Sequence, residues 1–245
     1  MRFAVEPLIA LLRLAALSAG TACLLSLSGA PAPGPAGFPF TDEDLNYSIN
    51  WPTGLGLGEA HTHARHTGDN WNFTLTINAG IPGYAVKDTY RSASVTDFCP
   101  VSFDRSTAHG SRIVQEKETV DRARSTVTRE TLVKDGGKSD FAVPICVKDA
   151  LTLLFFTRRE MGQGRVPGPQ QFLYGDLHDV RMDYVGAPMI SAGGKQVQSD
   201  QLTCTVKTSA SDYKFDIYFA RDAARTPLLI SAPLPIGKFS MELIR

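Results

Sequence analysis

Residues 147–161 read VKDALTLLFFTRREM, the one long stretch beyond residue 36 in which apolar side chains recur at helical spacing. Ala150, Leu151, Leu154, Phe155 and Met161 fall on one side of a 3.6-residue repeat, and no glycine or proline interrupts them. A helix is therefore predicted over about residues 147–162, beginning near Lys148 and Asp149 and stopped by Gly162. Almost everything around it alternates with period two instead. Leu45, Tyr47, Ile49 and Trp51 alternate with polar residues, and Trp71, Phe73, Leu75 and Ile77 do the same. The turn Gly68-Asp69-Asn70 makes 59–67 and 71–77 a hairpin. Residues 84–95 are mixed and read as a strand or an irregular crossing. Further strands are expected at 101–104, 111–120, 126–134 and 139–143, and past the helix at 171–174, 180–185, 196–207, 213–220, 227–233 and 239–244. About a dozen strands and one helix predict a mainly β fold, a large curved antiparallel sheet or open barrel wrapped on the helix.

The chain opens differently. Arg2 and Arg13 flank a single acid, Glu6, and residues 14–27 (LAALSAGTACLLSL) carry no charge. Small residues and prolines follow, with Gly34 and Ala36 placed for cleavage before Gly37. This order predicts a secretory signal peptide and Pro/Ala/Gly leader over 1–36, followed by a single β-rich domain over 37–245. Fourteen helical residues rise about 21 Å, short of a hydrocarbon core of about 30 Å. A permanent transmembrane anchor running from Leu8 would also bury Arg13, so none is expected. Lipidation at Cys23 is disfavoured because Gly20 stands where a large aliphatic residue is usual, and apolar residues continue beyond the cysteine. The expected location is the periplasm or cell envelope.

Removing residues 1–36 leaves 23 basic and 24 acidic side chains, a balance that gives no basic face for nucleic acid. Cys99, Cys146 and Cys204 remain. An odd number outside the cytosol suggests one disulfide and one buried thiol. Cys99 and Cys146 each lie near a proline at the end of a regular segment, where a staple disturbs no ladder. Cys204 lies inside a strand pattern. The expected bridge is Cys99–Cys146, with Cys204 as a small buried hydrophobe.

Catalytic patterns are sparse. Glu59, His61 and His63 share one face of a strand, with His66 close by, and His-x-His is a ligand spacing for zinc or copper. The intervening Ala60, Thr62 and Ala64 suit a packed face, which makes the histidines solvent-facing groups, and no third ligand such as His109 or His178 can be placed. LVKDGGKS at 132–139 lacks the first glycine of a phosphate loop and leads into a strand, so it is a hairpin turn. No nucleophile elbow and no zincin motif occurs in the sequence. No cofactor is expected.

Several segments resemble a known family when taken in order. They are Tyr47-Ser48-Ile49-Asn50-Trp51-Pro52-Thr53-Gly54, the run 149–159 (DALTLLFFTRR), Gly162-Gln163-Gly164, the run 219–228 (FARDAARTPL) and the run 237–243 (GKFSMEL). Over about residues 40–245 the chain resembles bacterial domain-of-unknown-function family number 3108, whose members are exported envelope proteins. The resemblance implies no catalytic residues. Its β-rich, single-helix pattern is similar to lipoprotein-carrier folds, in which a curved sheet wraps a helix around an apolar cavity.

The function expected from these readings is that of a non-enzymatic envelope protein binding an apolar or lipid-like ligand in the hollow of the sheet. Trp71, Phe73, Phe155 and Phe156 are the expected lining residues. Two alternatives stand beside it. One is an envelope scaffold that recruits a protein partner through strand edges, and the other is a metal-dependent hydrolase built on Glu59, His61 and His63.

Overall fold

The computed structural model describes residues 41–208, 211–234 and 237–244, so the expected signal segment 1–36 lies outside the described residues. Among the described residues the chain begins with β1 (Glu43–Asn50), β2 (Gly56–Thr67), β3 (Asn70–Ile81), β4 (Tyr84–Val95), β5 (Pro100–His109), β6 (Arg112–Asp121), β7 (Thr126–Thr131) and β8 (Lys138–Ala142). The two-residue β9 (Lys148–Asp149) leads into α1 (Ala150–Gly162). Then come β10 (Gln170–Leu173), β11 (Leu177–Gly186), β12 (Met189–Ala192), β13 (Lys195–Lys207), β14 (Asp212–Ala220), β15 (Pro227–Leu234) and β16 (Gly237–Ile244).

All sixteen strands belong to one curved sheet, ordered β8-β7-β6-β5-β4-β3-β2-β1-β16-β15-β14-β13-β11-β10-β9, with β12 paired to β13. The sheet runs from β8 to β9 and is not closed into a barrel. Its pairs are antiparallel except the short β9–β10 contact, where Phe172 faces Lys148 and Leu173 faces Asp149. The mainly β fold on a single helix is what the sequence predicts, with differences in detail. β9 and β12 are additional strands, and residues 84–95 form a continuous strand paired with β3 along its whole length. The alternation in β4 is obscured because Asp88, Ser92 and Ser94 point inward and are buried.

The helix begins at Ala150 because Lys148 and Asp149 are taken up by pairing with β10. Asp149 is its N-cap: Oδ1 accepts from the amides of Leu151 and Thr152, both at 2.8 Å, and Thr152 Oγ1 accepts from the Asp149 amide. The other oxygen, Oδ2, accepts from Ser92 Oγ of β4, which fastens the helix start to the sheet. Gly162 is the last helical residue rather than the stop. Closure falls at Gly164, whose φ of +76° lets its amide reach Met161 O at 3.0 Å while the Arg165 amide reaches Glu160 O at 2.9 Å.

Near its other end the helix is held by an ion pair. Arg158 is fully buried and meets Glu43 of β1 with two parallel bonds of 2.6 and 2.7 Å, while its Nε donates to Ala224 O at 2.9 Å. Between these two anchors Phe155 stacks on Phe73 of β3, ring centroids 4.1 Å apart, and burial of each ring stabilises the fold by about 1.5–3 kcal/mol. The expected disulfide is present, Cys99–Cys146, joining the β4–β5 turn to the segment entering β9. A loop of this separation, 47 residues, stabilises by about 4 kcal/mol on the chain-entropy account. Cys204 is completely buried, and burial pushes its thiol up to about 12.

Polar groups also line the wall formed by β4–β6. Burial pushes the carboxyl of Glu118 up to about 8, the nearby Arg105 offsetting part of the rise, and burial pushes Asp149 up to about 6.

Two outcomes follow from this packing. Glu43→Ala leaves the Arg158 guanidinium buried and unmatched, so denaturant unfolding should show a loss of about 3 kcal/mol, and Glu43→Leu combined with Arg158→Met should recover much of it. Glu118 has a folded pKa above its ordinary value, so its contribution to stability is present below about pH 4.5 and disappears as pH rises through about 8. Asp149 makes its own contribution below about pH 6, which leaves the window from 6 to 8 to Glu118. Thermal melts of Glu118→Gln should be flatter than wild type across that window, with the variant the more stable protein above it.

Candidate functional site

The helix comes closest to β3, β4, β9 and β10, to which its cap and aromatic stack tie it. Its remaining face turns toward β11–β15, where Leu153 and Met161 join Met182, Leu202, Ile217 and Phe219 in one apolar cluster and an unfilled space remains beside them. That space is a cavity of about 690 Å³, within the range of about 300–1,000 Å³ typical of small-molecule sites. Ala150, Leu153, Leu154 and Thr157 line it from the helix, the spacing of one helical face. Met182, Cys204, Ile217 and Ile230 form the opposite wall, one residue from each of β11, β13, β14 and β15. The ladder sets Met182 against Cys204 and Ile217 against Ile230, so these side chains stand in rows on the concave face. Thr157 gives its hydroxyl hydrogen to the backbone or to sulfur, lying 2.8 Å from Leu153 O and 3.3 Å from Met182 Sδ.

Burial falls steadily toward one end of the cavity. Along β14 Phe219 is 0% exposed, Ile217 6% and Tyr213 58%. Along β3 Trp71 and Phe73 are buried while Leu75 and Ile77 are half-buried. Alternating strand directions put the end of β3 and the start of β14 on the same side of the sheet, and the cavity opens there. Polar groups of the wall gather at this end. Tyr90 Oη donates to Asp88 Oδ2 at 3.2 Å and lies 3.0 Å from Tyr174 Oη, and His109 Nε2 reaches Asp88 from outside at 2.9 Å. Arg105 lies over the Tyr174 ring, 4.5 Å from its centroid, and pairs with Glu116. His178 also lines the cavity, its ring 5.8 Å from that of Phe172.

The four aromatic residues expected from sequence to line the hollow do not. Trp71, Phe73 and Phe155 pack together on the other side of the helix, and Trp71 stacks on Phe73 at 5.7 Å. Phe156 lies between cations, with Lys148 Nζ and the Arg159 guanidinium each 5.0 Å from its ring. Large rings fill space against one another, so they form the anchor of the helix. The cavity remains where side chains are shorter, at Ala150, Cys204 and Val180. The helical spacing of Ala150, Leu153, Leu154 and Thr157 and the alternation of Leu202, Cys204 and Val206 are the signals that mark this wall in the sequence.

Glu59, His61 and His63 lie on the outer face of β2, while Ala60 and Ala64 are buried on the inner one. Each histidine is engaged by β1: His61 Nδ1 is 2.6 Å from Asn46 Oδ1, and His63 Nδ1 bonds Asp44. His63 and Arg65 together hold the Asp44 carboxyl below its ordinary range. His66 packs against Trp71 at 4.7 Å. Among the described residues no three histidine, cysteine or acidic side chains converge as a metal site. The segment 132–139 spans the β7–β8 connection and the first two residues of β8, and its turn is closed by the Gly136 amide on Val133 O.

Comparison with known proteins agrees with the architecture. The chain superimposes on a β-barrel-like protein of the DUF1849 family from Brucella abortus with a TM-score of 0.60 at 7% identity, covering 84% of this chain and 96% of that one. That likeness is one of fold. A second solved structure, a protein from Bacteroides fragilis described as exported and YmcC-like in fold, gives a TM-score of 0.34 at 6% identity over 85% of this chain and 98% of that one. No curated protein sequence matches. The pattern of DUF3108, a family of proteins of unknown function, matches residues 46–244, and with most of its length so matched the chain belongs to that family.

Proposed function

We propose that this protein is a non-enzymatic binder of an apolar, lipid-like molecule, held between α1 and the β11–β15 wall, and that it acts in the cell envelope after export. The cavity carries the reading. A wall of Leu153, Leu154, Met182, Ile217 and Ile230 holds a hydrocarbon chain through area removed from water, about 25 cal/mol for each Å². Such side chains transfer no protons and stabilise no developing charge, which favours carriage over chemistry. The extracytosolic part of the reading is supported by the charge-free segment 14–27 behind Arg2 and Arg13, and by the Cys99–Cys146 bridge, since disulfides persist in oxidising compartments. The fixed position of the helix supports a cavity that exists before the ligand arrives, which lowers the cost of binding.

The test is binding of the uncharged hydrophobic fluorophore N-phenylnaphthylamine, followed by its emission, together with native mass spectrometry for co-purified lipid. Leu154 is half-buried against the cavity, so Leu154→Trp should fill the space. Expected are saturable binding by wild type, at least tenfold weaker binding by the variant, and no loss of melting temperature in the variant. A protein that emerges empty and leaves the fluorophore dark contradicts the reading, as does undiminished binding by Leu154→Trp.

A further inference from the structure

The distribution of polar groups around the cavity specifies more than an apolar guest. The floor beneath Leu153, Leu154 and Ile217 is hydrocarbon, whereas Tyr90, Tyr174, Arg105 and His178 all lie toward the open end. Tyr174 and His178 belong to the β10–β11 hairpin, which lies beside the end of β13, since Asp179 faces Lys207. A guest reaching that level from the floor meets an abrupt change from carbon to hydrogen-bonding groups. An amphiphile lying tail inward matches that profile.

Donor and acceptor bookkeeping then narrows the head group. Tyr90 has one hydroxyl hydrogen, and Asp88 takes it. The 3.0 Å contact between the phenols therefore uses the hydrogen of Tyr174, which leaves Tyr174 Oη able only to accept. His178 makes no hydrogen bond among the described residues, and an imidazole ring offers nitrogens of both kinds. A hydroxyl both gives and takes, so it satisfies Tyr174 and His178 together. A carboxylate takes only, and would have to break the Tyr174–Tyr90 bond. Its charge would also compete with Glu116 for the Arg105 guanidinium.

Resting on the apolar-ligand reading above, we infer that the cavity receives a long-chain amphiphile with an uncharged, hydroxyl-bearing head, its tail inward along α1 and its hydroxyl between Tyr174 and His178. Chains of this class include fatty alcohols and monoacylglycerols.

The experiment is displacement of N-phenylnaphthylamine from the disulfide-bonded protein by 1-dodecanol, methyl dodecanoate and dodecanoate. Methyl dodecanoate matches the alcohol in chain but has no hydrogen to donate. Expected is displacement by the alcohol at about fivefold lower concentration than by the ester, the worth of a single net hydrogen bond, with dodecanoate weakest. In Tyr174→Phe, with each displacement referred to that variant's own affinity for the fluorophore, the alcohol-to-ester margin should vanish, whereas in His178→Phe alcohol and ester should weaken together and the margin persist. If Tyr174→Phe fails to fold, the parallel weakening of alcohol and ester in His178→Phe remains as the test. Equal displacement by alcohol and ester, a margin that survives Tyr174→Phe, or alcohol binding undiminished in His178→Phe overturns the head-group inference and leaves the apolar-ligand reading standing. Tighter binding of dodecanoate overturns it in favour of an anionic head. A protein that never binds the fluorophore overturns both.

Discussion

A guanidinium with none of its surface exposed must be matched where it lies, and Arg158 is matched by Glu43 on the first strand of the domain. The pair fixes the second half of α1 against the β1 side of the sheet, as the bond from Ser92 to Asp149 fixes its start. A helix with its side chains is about 10–12 Å across, so one tied to a single wall of a wide curled sheet covers the opposite wall only in part, through Leu153 and Met161. The cavity is the consequence. Hydrophobic collapse alone would draw the helix toward whichever wall offers more apolar area, and two polar anchors with specific geometry prevent that.

The concave surface accordingly has two characters. On the β3–β5 side, rings and polar networks are packed together: Phe73 on Phe155, and Tyr90 on Tyr174 with Asp88 and His109 behind. On the β11–β15 side, aliphatic residues meet the helix at Leu153 and Met161 and border the open space beside that contact. The first surface provides rigidity and the second provides room. A binding protein needs both, because a cavity kept open by rigid elements costs less to occupy than one that must be formed.

Much of the fold is legible in the sequence for reasons that are local. Period-two alternation in 45–51 and 71–77 is a property of neighbouring residues, as is the helical spacing of Ala150, Leu151, Leu154 and Phe155. Cys99 and Cys146 mark themselves by lying at the ends of such segments. β4 is obscured because Asp88, Ser92 and Ser94 face inward, where their partners come from residues distant in sequence, Asp149 among them. The helix start was displaced for the same reason, since Lys148 and Asp149 are claimed by β10. The candidate site was the least legible part. Size draws attention to Trp71, Phe73, Phe155 and Phe156, but a cavity is defined by what fails to reach across it. The short side chains of Ala150 and Cys204 carry that information only once the two walls are known to face each other.

The claim on which the account turns is that open apolar space lies between α1 and the β11–β15 wall and takes a hydrocarbon chain. A crystal structure of the protein soaked with 1-bromododecane tests it directly, because bromine reports its own position by anomalous scattering. The account predicts a bromine peak and continuous chain density bounded by Leu154, Met182 and Ile217, with Arg158 still paired to Glu43. A helix packed onto Ile217 and Ile230 with the space closed, or bromine found only on the outer surface, would contradict it.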